Sequence, residues 1–483
     1  MNMNVISIIL ALVFLVNTVL ILMIIFLERR NVSSIWTWAI VLTFLPIAGF
    51  ILYIIFGRNL SRSKLFRWDK ESYLLLKGSV MDQITTLKND TYRIGDPAIF
   101  KYKDFIMMNL NQNASLLTQN NDVTIFTTGQ EKFDSLLADI KQAKNHIHIL
   151  YYIIRDDELG NKLADELAKK AKSGVQVRLL YDDLGSRTLS KAFIHKIKSA
   201  GGEVEAFFPS KIPFINLTLN FRNHRKLVVI DGEIGYIGGF NVGDEYLGLN
   251  QRFGYWRDTH LKIVGEAVNH IQTRFIQDWN QAAKKELHIK DFLFPVTKKY
   301  GQFGIQIVSS GPDSQLEQIK KAYIKMILTA KEYVYIQTPY FIPDESLLDA
   351  FKVACFSGLD VRIMIPNKPD HPFVYWATYS NIGELLRMGA KVYIYDNGFL
   401  HCKTIVADDK IASVGTANID VRSFRLNFEV NAFLYSTEKV NELTKLFHED
   451  IKESRELTLE EYEQRPSKIR FKESISRLLS PIL

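Results

Sequence analysis

An eighteen-residue pattern occurs twice in this chain and constrains the fold more than any other feature. Residues 224–241 read HRKLVVIDGEIGYIGGFN, and residues 401–418 read HCKTIVADDKIASVGTAN. Both copies set His, Lys and Asp at the same offsets, and both close on Gly-x-x-Asn. A single His-x-Lys is ordinary surface decoration. Two in register, each running into an apolar hairpin, mark an internal duplication.

The duplication extends upstream. Residues 143–149 match 330–336, residues 173–178 match 357–362, and residues 201–204 match 389–392. Helical runs such as 161–172 alternate with short β-branched runs such as 175–181, the pattern of an α/β sheet with crossover helices. The expected fold is therefore α/β, with two tandem halves over residues 121–295 and 296–483. A connector, 58–120, precedes them as a helical lead-in to the first half, with an Asn/Gln-rich loop over 109–122. The register breaks once. The offset between copies is 188 at 201/389 but 177 at the two histidines, so the first half carries eleven extra residues within 207–221. That segment, FFPSKIPFINLTLNF, is either a loop packed on the core or an interfacial loop dipping into a bilayer.

Residues 5–27 and 35–56 contain no charged side chain. At 1.5 Å per residue each spans about 33 Å, enough to cross a hydrocarbon layer of ~30 Å. The connecting residues 28–34 leave room only for a turn, so residues 1–57 read as a transmembrane helical hairpin. No Lys or Arg precedes the first run and no small-residue cleavage site follows it, which argues against a signal peptide. Trp36 and Trp38 suit an interfacial belt. Arg58, Arg62, Lys64, Arg67 and Lys70 follow the second span, whereas Arg29 and Arg30 in the turn are offset by Glu28. The positive-inside rule then gives a multi-pass membrane protein with its large C-terminal part in the cytoplasm. The two cysteines, Cys355 and Cys402, cannot form a disulfide framework and suit a reducing compartment. A net charge of +7 over 483 residues is mild and favours contact with an anionic surface without naming it.

Residues two apart in a strand share a face, so His224 sits with Lys226 and His401 with Lys403. Asp231 and Asp408 complete the catalytic motif, but their offset turns them to the other face, at a hairpin turn, as supports. Two imidazoles and two ammonium groups form an anion site. They lack the Cys, Asp or Glu ligands a metal would need, and two cations would stand beside it. Phosphodiester chemistry fits better: one His attacks phosphorus, and the other protonates the departing alkoxide. The lysines, with Asn241 and Asn418, then balance the phosphoryl charge. Each His needs an acceptor at its other nitrogen, for which Asp258 and Glu429 are candidates. Tyr340, just after a strand end, is a candidate substrate contact. His371, in the run 370–372, could reach the site. Cys402 points away from it and packs, while residues 471–483 could either lie on a membrane or cap a domain.

The paired H-x-K-x4-D signatures resemble the phospholipase D superfamily. Together with the apolar N-terminal runs, YDDLG at 181–185, NHRK at 223–226, WRD at 256–258, QTPYF at 337–341 and LSP at 479–481 resemble its bacterial cardiolipin synthase branch. The resemblance implies one active site at the interface of two sheet-and-helix halves. It also implies a reaction in which two phosphatidylglycerol molecules give cardiolipin and glycerol, with His224 as nucleophile and His401 as acid. One phosphodiester replaces another, so no cofactor is required, and the chain has no P-loop. The implied partners are phosphatidylglycerol and cardiolipin in the membrane, with no nucleic acid. A membrane-bound phospholipase D releasing phosphatidic acid would share every catalytic residue. A tethered nuclease would need a basic, aromatic-interleaved groove, absent near either signature. Two intact signatures speak against a lipid-binding scaffold.

Overall fold

The computed structural model of the protein describes residues 3–26, 32–57, 60, 65–66, 68–209, 218–293, 298–368 and 370–478. The first half contributes strands β1 (Asn121–Phe126), β2 (His146–Tyr151), β3 (Gln176–Asp182), β4 (Glu203–Phe207), β5 (Arg222–Asn223), β6 (Leu227–Ile230), β7 (Ile234–Gly238), β8 (Trp256–Arg257) and β9 (His260–Gly265). The second contributes β10 (Gly304–Ser310), β11 (Tyr333–Gln337), β12 (Phe341–Ile342), β13 (Asp360–Pro366), β14 (Lys391–Tyr395) and β15 (Phe399–Leu400). It continues through β16 (Thr404–Ala407), β17 (Ile411–Gly415), β18 (Ile419–Asp420), β19 (Asn427–Tyr435) and β20 (Ser454–Leu457).

The two main sheets repeat one another. Their orders are β1-β9-β7-β6-β2-β3-β4 and β10-β19-β17-β16-β11-β13-β14-β20. In each, three parallel strands linked by crossover helices adjoin the antiparallel hairpin that carries the signature. The expected tandem α/β halves are present. β2 is buried along its whole length, as parallel strands covered on both faces are. The hairpins turn at Asp231-Gly232 and Asp408-Asp409, all four with positive φ, which matches the twist of a tight two-residue turn.

Besides a core under the crossover helices of each half, a third core joins the halves. It packs Leu227, Phe275 and Trp279 against Val414, Phe428 and Phe447. Burying each such side chain contributes about 1.5–3 kcal/mol, so the interface is part of the fold. Two short strands also cross it. β5 pairs in parallel with β19, and β15 with β8.

Three expectations change. The connector helices 70–88 and 103–113 join the core of the second half, not the first. The 109–122 segment is not all loop, because the helix Lys103–Asn113 runs into it. Asn109 is buried there and bonds Gln306 at 3.1 Å, anchoring the helix on β10. The second apolar run is not one helix but two, Val32–Phe44 and Pro46–Phe56, starting within the expected turn. Pro46 has no N–H to give the Leu42 carbonyl, so the helix breaks there. Asn17, on the helix Met3–Phe26, donates to that carbonyl at 3.0 Å and to the Pro46 carbonyl at 2.9 Å. Among the residues whose side chains are described, no helix is long and apolar enough to cross a membrane. Several side chains of Met3–Phe26 lie outside that set. The helix Ser467–Leu478 packs on Pro372–Leu386 as a cap, with residues 479–483 outside the description. The centre of the apolar insertion, 210–217, also lies outside the described residues.

Candidate active site

The crossing strands explain the site. β5 leads into His224 while paired to β19, whose next residue inward is Glu429. β15 leads into His401 while paired to β8, which is followed by Asp258. The His224 amide donates to the Phe428 carbonyl at 3.0 Å, and the His401 amide to the Arg257 carbonyl at 2.7 Å. Each histidine is thus delivered to a carboxylate of the opposite half. His224 Nδ1 meets the Glu429 carboxylate at 2.9 and 3.0 Å, and His401 Nδ1 meets Asp258 Oδ2 at 2.6 Å. With Nδ1–H donated to a carboxylate, Nε2 is left with its lone pair free.

Both histidines line one cavity of about 610 Å³, a volume in the range of small-molecule sites. Tyr340, Asn241, Asn418, Asp370 and His371 line the same cavity. Asn241 also fixes the wall, its Oδ1 accepting from the Ile153 amide at 3.1 Å. Asn418 Oδ1 is buried without a partner, and the Tyr340 hydroxyl bonds the Asp370 carboxylate. Lys226 and Lys403 lie just beneath. Each donates its ammonium to the carbonyl of its own histidine, at 2.6 and 2.5 Å.

Burial dominates the electrostatics. Desolvation drives both imidazoles down to about 4, even against the adjacent carboxylates, with both lysines adding to the effect. Both are therefore neutral at rest. Desolvation also lowers Lys226 to about 7 and pulls Lys403 below its ordinary value, despite the attraction of Glu429 and Asp258. Burial alone would raise Glu429, but His224 and Lys226 hold it below the usual carboxylate range. The cluster is a desolvated cationic floor under two neutral nitrogen bases, suited to a phosphate anion that supplies the missing charge.

Asp231 and Asp408 stand apart from this cavity. Asp231 accepts from the amides of Lys144, Asn145 and His146 at 2.7–2.9 Å. Asp408 accepts from those of Lys331, Glu332 and Tyr333, and from Lys101 at 3.0 Å. Saturated by backbone amides, these carboxylates tie the signature hairpin to β2 and β11, outside the lining of the cavity, as the supporting position at the turn leads one to expect. Cys402 is buried against Arg257 and Thr259, away from the histidine face.

Sequence reasoning missed several wall residues. Tyr152 packs edge-on to His224 with ring centroids 4.8 Å apart, and Trp256 packs on His401 at 5.1 Å. Asp420 and Arg422 follow the second signature directly and line the cavity, with burial raising Asp420 to about 6. Tyr152 follows the end of β2, where ligand-binding residues of an α/β sheet gather, and that signal could have found it.

A family model described as "Cardiolipin synthase, PLD-like domain" matches residues 136–279 and 323–451, more than half of the chain. One described as "Phospholipase_D-nuclease N-terminal" matches residues 9–58. The chain is 57% identical over 482 residues to a cardiolipin synthase of Oceanobacillus iheyensis, covering 100% of both. It is 58% identical over 484 residues to the major cardiolipin synthase ClsA of Bacillus subtilis, again covering 100% of both. A cardiolipin synthase of Staphylococcus aureus is 55% identical over 97% of this chain and 95% of its own. The crystal structure of phosphatidylserine synthase from Haemophilus influenzae shares the fold, with a TM-score of 0.61 at 16% identity over 79% of this chain and 99% of that one. With both signatures converging on one cavity and such identity running end to end, this chain belongs to the cardiolipin synthase family of phospholipase D-like proteins.

Proposed function

We propose that the chain transfers a phosphatidyl group from one phosphatidylglycerol to the terminal hydroxyl of another, giving cardiolipin and glycerol. One observation carries the mechanism: two neutral imidazoles, each held at Nδ1 by a carboxylate, face one cavity over a pair of lysines. The anionic phosphodiester docks over Lys226 and Lys403, and its charge raises the affinity of His401 for a proton. His224 Nε2 attacks phosphorus. The bond to the glycerol oxygen breaks, and His401 supplies the proton that lets free glycerol leave. The second phosphatidylglycerol then gives its hydroxyl proton to the now neutral His401. Its oxygen attacks phosphorus, the phosphorus–nitrogen bond breaks, and His224 is regenerated. No external reductant, oxidant or nucleotide enters the balance.

The assignment of roles is supported by the unequal carboxylates. Asp258 meets His401 with one oxygen at 2.6 Å while its other accepts the Thr259 amide at 2.7 Å, whereas Glu429 meets His224 with both oxygens and also accepts from the Thr416 hydroxyl at 2.6 Å. The single short contact suits the acid, and the ring held by both oxygens of its carboxylate suits the nucleophile, whose imidazolium must persist while phosphorylated. Tyr152 and Trp256 exclude water from the two rings, so an alcohol can compete for the phosphohistidine.

The N-terminal helices anchor this site to the membrane in the same reading. Supporting this, Ile8, Leu12, Leu15, Phe26, Trp36 and Phe44 are exposed, and the polar Asn17 is turned inward onto Leu42 and Pro46. The basic flank 58–70 places the catalytic halves on the cytoplasmic side. The test is the full-length protein in phosphatidylglycerol vesicles labelled in the headgroup glycerol. Cardiolipin with an equal amount of free labelled glycerol is expected. Phosphatidic acid with glycerol would instead make the chain a hydrolase.

A further inference from the structure

A second cavity, of about 410 Å³, lies outside the catalytic one, between the connector and the helix Val268–Ala282. Its walls are half apolar, with Phe66, Trp68, Leu75, Leu76 and Leu293 among them. One donor in this lining, Arg274 Nε, is buried without a partner. A buried polar group left unpaired is rare in a native protein and calls for an explanation.

Arg274 is the looser of two guanidiniums on one carboxylate. Arg225 holds Asp278 Oδ1 at 2.6 Å, and Arg274 reaches the same oxygen at 3.3 Å. The face of Arg274 stacks on the Phe66 ring, 4.1 Å from its centroid. Asp313, the one carboxylate lining the cavity, attracts Arg274 only through space, and Lys290 is paired to Glu71. The cavity therefore offers an anion site at one end and an apolar trough along the rest. Its mouth adjoins the helix Lys70–Lys88, where Tyr73, Leu74, Leu75 and Met81 are each at least half exposed. That helix follows closely on the apolar N-terminal helices, so a bilayer is the adjacent source of ligand.

We infer that this cavity holds an anionic glycerophospholipid that is not turned over, with its phosphate on the Arg274 guanidinium and an acyl chain along Leu75, Leu76 and Leu293. The occupant is an amphiphile, because neither a free phosphate nor a neutral lipid satisfies both ends of the cavity. The site also touches the catalytic side. Arg225, which shares Asp278 with Arg274, donates from Nε to the Glu429 carbonyl at 3.1 Å.

The test is photocrosslinking of the full-length protein in vesicles of equal phosphatidylglycerol and neutral, phosphate-free diglucosyl diacylglycerol, with a benzophenone amino acid replacing the exposed Leu75. Lipid adducts are then identified by mass spectrometry. A charge-assisted bond predicts about a tenfold excess of phosphatidylglycerol adduct. Arg274→Gln should bring the ratio close to one, and Arg274→Lys should keep most of the excess. Equal adducts of both lipids before any Arg274 change, no lipid adduct, or an excess unaffected by Arg274→Gln would each overturn the proposal. The readout is occupancy, so a chain that hydrolyses its substrate rather than transferring it would leave this result unchanged.

Discussion

The two histidines have the same signature and different surroundings. His224 rests on Glu429, which also takes the Thr416 hydroxyl and, more distantly, the Asn427 amide. His401 rests on Asp258 through one short bond, and where the second signature has Thr416 the first has Gly239. A Cβ at Gly239 would stand 1.9 Å from Asp258 Oδ1, so that position must stay bare for the carboxylate to fit. One copy has a longer acid and a hydroxyl to hold it; the other has a shorter acid held by the Thr259 amide beside a bare glycine. Duplication supplied two equivalent bases, and the swapped partners made them unequal. On the proposed mechanism, that inequality would separate a nucleophile from an acid.

Removing either ring tests the comparison most severely. His224→Ala and His401→Ala should each lower cardiolipin formation by about 10⁴-fold or more, since acid–base catalysis and the covalent route disappear together. They should differ in trapping. Quenched under alkaline conditions, a phosphatidyl-histidine peptide should appear at residue 224 with the rest of the site intact and never at residue 401. A peptide labelled at 401 would reverse the roles.

The carboxylates come next. Asp258→Asn and Glu429→Gln keep the shape but lose the charge that fixes each tautomer, and roughly 10²–10³-fold losses are expected. If the halves differ as argued, Asp258→Asn falls chiefly in the step that expels glycerol. Single-turnover release of labelled glycerol would show equal slowing if they do not.

The lysines give a pH test with a definite sign. Burial sets Lys226 near 7 in the free enzyme, so its positive charge is present below that pH and lost above it. kcat/KM should fall as pH rises through about 7, and Lys226→Arg, which cannot deprotonate there, should make the log–log fall shallower by about one. Matching slopes would remove Lys226 as the cause.

Smaller effects separate support from chemistry. Thr416→Val should cost about tenfold in rate with little change in stability, because Glu429 keeps its contact with His224. Asp231→Asn and Asp408→Asn should instead cost about 1–3 kcal/mol of stability each, read from thermal unfolding, while the folded fraction keeps its activity. Of the two, Asp408→Asn should lose more, because Lys101 of the connector also binds there. Loss of turnover at unchanged stability would return the aspartates to the catalytic set.

Much of this was legible in the chain. The repeat offsets marked two α/β halves, because a crossover helix and a buried strand have different apolar periods. The His-Lys pairs could be read from a strand's two-residue alternation, and the support role of Asp231 from its place at a turn. Glu429 and Asp258 could be named as acceptors but not assigned, since nothing in the sequence says that β5 crosses to β19 and β15 to β8. The connector misled for a related reason. It precedes the first half in sequence yet buries Asn109 against Gln306 of the second, a long-range contact no local pattern encodes. Pro46 was visible throughout, but an unbroken apolar run was given more weight than one missing amide.

The sequence by itself determined the reactive groups: two His-Lys pairs, two turn aspartates, and apolar periods that dictate sheets and helices. Those are local facts, set by side-chain chemistry and backbone periodicity. Tertiary structure alone decided which carboxylate serves which imidazole, how far each group is desolvated, and that both copies share one cavity. Such properties depend on residues far apart in the chain meeting where water is excluded. There a few ångströms decide whether a lysine titrates near 10 or near 7.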